Sequence, residues 1–169
     1  FDKNADAVIL HDMGIWTPIS LENSQVRQQR HTRIKILKES GSRFKDVAIE
    51  YKASEQIVGL KARPINWEDG KRKVEKLDLK YLPEEKLKNK MKRKSFRFRN
   101  VKPGSIIEYQ YTLHTKDMEW LKNWYFQNEI PTVHSEVRVD NFRVEFYSVY
   151  PQVLEVKSYL RGRYQMRHV

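Results

Sequence analysis

Apolar side chains recur at every second position along most of this chain. Val47, Ile49 and Tyr51 alternate with Ala48, Glu50 and Lys52, and Leu77, Leu79 and Tyr81 alternate with Asp78 and Lys80. Phe96 and Phe98 alternate with Arg97 and Arg99. Ile107, Tyr109, Tyr111 and Leu113 enclose Glu108, Gln110 and Thr112, and Phe142, Val144 and Phe146 enclose Arg143 and Glu145. A period of two places one set of side chains on each face of a strand, so each run predicts a strand with one buried and one wetted face. Further strands are expected at Ala7–Leu10, Val26–Leu37, Ile57–Ile65, Val74–Tyr81 and Val153–Leu160.

The runs are separated by residues with turn chemistry. Ser40-Gly41 divides two strands. Asp69-Gly70 lies between two others and predicts a tight hairpin, since glycine tolerates a positive φ. Pro103-Gly104 suits the centre of a type II turn, where proline sets one φ and glycine supplies the positive one. Pro131 and Pro151 are expected at strand ends or edges, because proline has no N–H for a ladder.

Pro83–Arg93 departs from the alternation. Proline stands first, Glu84 and Glu85 follow, and Lys90, Lys92 and Arg93 come last, an order that complements a helix dipole. Leu87 and Met91 would share a face, so a short helix is predicted here. A weaker helical turn is expected at Asp117–Asn123. The elements together predict an all-β or β-rich α+β fold, either a two-layer antiparallel β-sandwich or a strongly curved sheet, with one short inserted helix. It is expected to be a single domain over 1–169, with residues 71–102 as a hairpin or helix excursion.

Composition sharpens this picture. The chain has 169 residues, enough for a core without covalent staples, and its 12% aromatic content opposes disorder. Its 39% hydrophobic and 33% charged residues predict a thin core beneath a charged surface. Cysteine is absent, which removes disulfides, thiolate metal sites and thiol nucleophiles. No apolar run approaches the ~20 residues of a membrane span. The chain opens at Phe1 without a Met and stops at Val169 just after a strand-like stretch, so it is expected to be a fragment of a longer protein with a signal peptide in its precursor.

The net charge of +11 is concentrated in one segment. Residues 71–102 carry 14 Lys or Arg against 4 Asp or Glu, whereas the remainder carries 19 against 18. Lys90, Lys92, Arg93 and Lys94 are therefore the candidate anion-binding residues. Strict alternation around Phe96 and Phe98 favours a hairpin whose cations simply face water. Trp120, Trp124 and Tyr125 form a candidate domain-docking or ligand face, since large amphipathic rings suit interfaces.

Catalytic signatures are missing. His11, His31, His114, His134 and His168 form no H-x-H or H-E-x-x-H pair. His134 and Glu136 would share a strand face but predict an ordinary polar pair. No serine sits in a nucleophile elbow, and Glu84 beside Glu85 does not resemble a glycosidase dyad. No catalytic residue, metal or cofactor is assigned, and the chain is expected not to be an enzyme by itself.

Six stretches, in order, resemble a known family: NADAVILHDMG from Asn4 to Gly14, HTRIKILKESG from His31 to Gly41, VAIEY from Val47 to Tyr51, KARPINWEDGK from Lys61 to Lys71, FRFRNVKPGSIIEYQYT from Phe96 to Thr112, and WYFQNEIPTVHSEV from Trp124 to Val137. The Pro-Gly-Ser-Ile-Ile-Glu-Tyr-x-Tyr run is the most specific, and the region from Val74 to Ser95 matches poorly. The family is the domain of unknown function that precedes a transglutaminase-like domain in bacterial proteins, mainly of the Bacteroidetes. The resemblance implies a periplasmic, cell-envelope or secreted protein with a papain-like domain downstream. It carries no catalytic residue onto this chain, because the family has none established in this domain. The expected function is thus a non-catalytic accessory domain that packs against or positions that downstream domain. The alternative is a glycan- or polyanion-binding module, with no specific nucleic-acid recognition.

Overall fold

The computed structural model describes residues 4–20, 25–116, 123–140, 154–159 and 163–168, the last two segments through their backbone only. The protein is β-rich, as expected. Among the described residues eleven strands run in chain order as β1 (Ala7–Ser20), β2 (Gln25–Ile36), β3 (Asp46–Lys52), β4 (Gln56–Glu68), β5 (Lys71–Val74), β6 (Glu84–Lys86), β7 (Met91–Arg97), β8 (Ile106–Thr115), β9 (Ser135–Asp140), β10 (Leu154–Tyr159) and β11 (Arg163–His168). An eight-stranded sheet has the order β10-β11-β9-β1-β2-β8-β4-β5, and a three-stranded sheet the order β3-β7-β6. Neighbours are antiparallel except β1 and β9, which run parallel with Asp12 opposite Ser135.

The two sheets share one core. Ile34, Ile36, Ile107 and Leu113 of the large sheet join Ile49, Tyr51, Phe96 and Phe98 from the small sheet and its flank. We call the large-sheet face that carries these residues the inner face. Tyr51 and Phe98 are almost wholly buried, and Phe96 and Phe98 meet edge to face with centroids 5.6 Å apart.

A bulge tunes the face of β1. Ile9 pairs with Ile34, but His11 pairs with Arg33, so Leu10 is the extra residue. The bulge resets the alternation so that Asp12, not His11, continues the inner face begun by Ala7 and Ile9. The chain before β9 docks at the same place. Ile9 N–H donates to Pro131 O at 2.9 Å, Val133 N–H to Ile9 O at 2.8 Å and Asp12 N–H to His134 O at 3.0 Å.

Turn chemistry agrees with the sequence. Asp69 and Gly70 have φ of 50° and 71° in the β4–β5 hairpin, the pair of positive values a type I′ turn requires. Gly104 has φ of 90°, and Ser105 N–H donates to Lys102 O across that turn at 2.9 Å.

Three expectations need correction. Among the described residues the one helix is a 3₁₀ helix at Glu39–Lys45, around the Ser40-Gly41 turn, and not at Pro83–Arg93. Residues 84–97 form the β6–β7 hairpin instead, turning through Asn89 and Lys90, both at φ of 57°. The acids and bases that suggested a helix dipole face each other across the hairpin. Glu84 lies opposite Lys94 and Glu85 opposite Arg93, while Lys92 Nζ reaches Glu84 Oε1 at 2.8 Å. Acid-first, base-last order suits both a helix and an antiparallel hairpin, and pairing with β3 decides between them. Second, β5 ends at Val74, short of Tyr81. Beyond it Glu75 and Leu77 still donate to Pro64 O and Ala62 O, at 3.3 and 3.0 Å, while Leu77, Leu79 and Leu82 pack on the core. Third, β1 runs to Ser20, well past Leu10, because the bulge lets it continue beside β2 and β9. The strand expected around Phe142–Phe146, Pro151, and Asp117–Lys122 of the weaker helical turn lie outside the described residues.

Candidate functional site

The inner-facing positions of β2 change character along the strand. Val26, Ile34 and Ile36 are apolar and buried, but Gln28, Arg30 and Thr32 between them are polar. A polar stretch on the buried face of a central strand costs stability unless every group finds a partner.

Most of these groups do. Asp12 is fully buried. It accepts from Arg30 Nε at 3.0 Å, Arg30 Nη2 at 2.7 Å and Thr32 Oγ1 at 2.9 Å. The Arg30–Asp12 contact is the two-pronged guanidinium–carboxylate arrangement, the strongest geometry for such a pair. Burial pulls the Arg30 guanidinium down, but its hydrogen bond to Asp12 and the Asp12 charge outweigh this and raise its pKa. Tyr109 and Tyr111, on the neighbouring β8, have their phenols raised by burial, with Arg30 acting in the opposite sense.

Trp124 closes this polar stretch. Its Nε1 donates to Ser135 Oγ at 3.0 Å, and the Arg30 guanidinium carbon lies 5.0 Å from its ring centroid. The ring rests on Gly14, where a Cβ would come within 2.6 Å of Trp124 Cζ3. Any side chain at position 14 would therefore push the indole off the sheet. Beside it opens a cleft of about 380 Å³, lined by Trp16, Gln28, Arg30, Tyr111, Trp124 and Tyr125 among others. Its size falls at the lower end of small-molecule sites.

The opposite face of the large sheet carries a second polar cluster. Glu108, only 4% exposed, accepts from Arg33 Nε at 2.5 Å, from His31 Nε2 at 2.7 Å and from Arg63 Nε. Burial alone would push the Glu108 carboxyl up, but hydrogen bonds from Arg63, Arg33 and His31 hold its pKa at about 2. Glu136 accepts from Arg138 Nε at 2.5 Å and pairs with His134 Nε2 at 3.2 Å. The His11 ring sits 5.4 Å from His31 and 5.3 Å from His134, between centroids. Burial first, then the like charges of His31 and His134, lower the His11 pKa. Among the described residues no group of His, Asp and Glu is arranged to hold a metal ion.

The sequence-predicted residues are distributed as follows. Trp124 and Tyr125 both reach the cleft, Trp124 half-buried in the domain's own packing and Tyr125 67% exposed at the rim. Trp120 lies outside the described residues. Lys90 occupies the β6–β7 turn. Along β7 alternation places Lys92 and Lys94 on one side of the small sheet and Arg93 on the other. Lys92 pairs with Glu84, and Arg93 with Glu50 at 2.6 Å and Glu85 at 3.3 Å. Sequence reasoning did not single out Asp12, Gln28, Arg30 or Glu108. A signal for Gln28 and Arg30 existed in β2, whose even positions read Val-Gln-Arg-Thr-Ile-Ile from Val26 to Ile36.

The fold has known relatives of much greater length. A crystal structure of a "putative protease" from Parabacteroides distasonis ATCC 8503 matches with a TM-score of 0.63 at 12% identity, over 96% of this chain and 35% of that one. Yeast LTA4 hydrolase in complex with bestatin matches with a TM-score of 0.50 at 10% identity, over 99% of this chain and 28% of that one. This chain thus spans about a third of the length of the solved structures it matches. At these identities the likeness is one of fold. No curated protein matches the sequence. The family model that does match covers residues 22–162, and the chain belongs to that family, DUF3857, a domain of unknown function with a solved structure.

Proposed function

We propose that this chain is a non-catalytic accessory domain of a longer secreted or envelope protein, and that it packs against or positions a transglutaminase-like domain following it in the same polypeptide. One observation carries the reading. The fold takes up 96% of this chain but only 35% of the Parabacteroides protein, so there it is one part of a larger assembly of domains. That protein's description as a "putative protease" is consistent with a papain-like neighbour, which the ordered sequence resemblance also implies. The bacterial envelope setting rests on the same resemblance.

The polar clusters support a structural role. The best-buried carboxylates, Asp12 and Glu108, are each engaged by two or more donors from neighbouring side chains. A general acid or base needs a proton it can exchange with substrate, and these groups are committed to arginines. Among the described residues no helix is long and apolar enough to cross a membrane. Of the expected docking residues, Tyr125 is 67% exposed and can meet a neighbour without dismantling the core.

The test is association. The chain is mixed with the separately produced region that follows it in the open reading frame, and heat release is measured. Saturable one-to-one binding, weakened by Tyr125→Ala while the domain's melting is unchanged, is the expected result. Absence of binding, with the joined protein melting as two independent units, would overturn the reading. Turnover of a glutamine-donor or peptide substrate by this chain above a heat-killed control would overturn its non-catalytic part.

A further inference from the structure

One buried polar atom beside the cleft has no partner among the described residues. Gln28 is 6% exposed, and its Nε2 is buried without a hydrogen-bond acceptor. A buried amide donor left unpaired costs free energy on the order of a full hydrogen bond, and native proteins carry few of them. Gln28 lines the cleft, and its cross-strand neighbours are Trp16 on β1 and Leu113 on β8, both also lining it. An acceptor brought into the cleft would meet a donor whose desolvation has already been incurred.

The surroundings define the acceptor's carrier. Trp16, Tyr111, Trp124 and Tyr125 provide aromatic faces, while Asn123 is an exposed amide residue in the lining. The one charge in the lining among the described residues, Arg30, is neutralised by Asp12 at 2.7 Å. A charged ligand therefore gains little here, and a neutral one is favoured. The cleft lies on a sheet face, and β2 is paired on both sides, by β1 and β8. Its backbone groups are consumed in the ladders, so a ligand here is read by side chains, unlike a peptide adding a strand at an edge.

We propose that this cleft binds a neutral sugar ring bearing an acetamido group. The ring's C–H face packs on the aromatic walls, its hydroxyls meet the Asn123 amide, and the acetamido carbonyl accepts from Gln28 Nε2. A carbonyl suits a buried donor better than a hydroxyl does, since it brings no hydrogen needing its own acceptor. The inference is independent of the accessory role.

The isotope-labelled chain is titrated into the millimolar range with chitotriose, with cellotriose, and with N-acetylglycinamide, while the side-chain N–H resonances of Gln28 and Trp124 are followed by NMR. Chitotriose should shift both saturably, and cellotriose, which has a hydroxyl in place of each acetamido group, should bind roughly tenfold more weakly. Gln28→Leu should weaken chitotriose by a similar factor while leaving or raising the denaturation midpoint, because it removes an unpaired donor. Tyr125→Ala, at an exposed position that cannot empty the core, should also weaken chitotriose and provides the test if Gln28→Leu does not fold. No saturable shift with chitotriose would overturn the proposal. So would equal affinity for cellotriose, which would mean that nothing reads the acetamido group, or equal affinity for N-acetylglycinamide, which would mean that the carbonyl alone is read. Unchanged chitotriose binding in the folded variants would also overturn it.

Discussion

Asp12 and Glu108 are buried on opposite faces of the large sheet, and the two are held in different ways. Asp12, on the inner face, is fully buried and is held by one arginine and one threonine, with Trp124 over the arginine. Glu108, on the outer face, is nearly as buried but is gripped by His31, Arg33 and Arg63, whose side chains remain 25%, 44% and 45% exposed. The difference lies in where the counter-charge can go. Around Glu108 the cations already face water and can turn outward if the carboxylate is lost. Around Asp12 the arginine, itself 37% exposed, is stacked between the sheet and an indole. A buried ion pair contributes little to net stability when intact, and what matters is the cost of breaking it.

The largest effect should therefore come from Asp12. Asp12→Ala leaves Arg30 without its carboxylate on the inner face and should cost about 3 kcal/mol, the lower end of the range for an orphaned buried charge. We place it there because the Arg30 side chain keeps 37% exposure and can partly rehydrate. The loss would be read from urea or guanidinium midpoints. A cost no greater than that of Glu108→Ala would mean the two faces are equivalent and the comparison fails.

That contrast was only half legible in the sequence. Alternation located β3, β8 and the Phe96 end of β7 because each presents one apolar face, and Asp-Gly and Pro-Gly marked two turns because few other residues adopt positive φ at no cost. It failed where side-chain period and burial part company. The polar centre of β2 reads as surface to any hydropathy pattern, and only the register with β1 and β8 reveals that Gln28, Arg30 and Thr32 face inward. The bulge at Leu10 is invisible in the same way, yet it decides that Asp12 and not His11 joins that face. The β6–β7 hairpin was mistaken for a helix because its charge order satisfies two local rules at once, and a partner strand more than thirty residues upstream settles which applies. Of the expected docking residues, Trp124 and Tyr125 do meet at one cleft, but only its three-dimensional walls show that Gln28 stands between them and the core.

A smaller effect separates the faces by pH. The Glu108 carboxyl is held at about 2, below the 4.5 it has when unperturbed. A depressed carboxylate stabilises the fold above its unfolded pKa, and that contribution fades as pH falls through the folded value. Stability should thus drop between about pH 4.5 and pH 2 more steeply in the native protein than in Glu108→Gln, whose amide does not titrate in that window. Midpoints measured across that range should converge toward the acid end. Parallel curves for the two proteins would show that Glu108 is not the group whose protonation weakens the outer face.

The smallest effect marks the end of the series, where a pair is wet on both sides. Arg97 Nε lies 2.5 Å from Asp46 Oδ1, with a second contact from Nη2 to Oδ2 at 3.0 Å, so its geometry rivals that of Arg30 with Asp12. The hydrogen bond and the charge of Arg97 lower the Asp46 carboxyl, so distance and pKa direction alone would rank this pair as strong. Exposure says otherwise: the two side chains are 67% and 49% exposed. Water solvates each ion nearly as well apart as together, and added salt screens what attraction remains. Arg97→Ala should therefore leave the denaturation midpoint where it was, at low and at high salt alike. If it instead destabilised the protein as much as Asp12→Ala does, contact geometry rather than the solvation of the abandoned partner would set the cost, and the distinction drawn between the two faces of the sheet would have no physical basis.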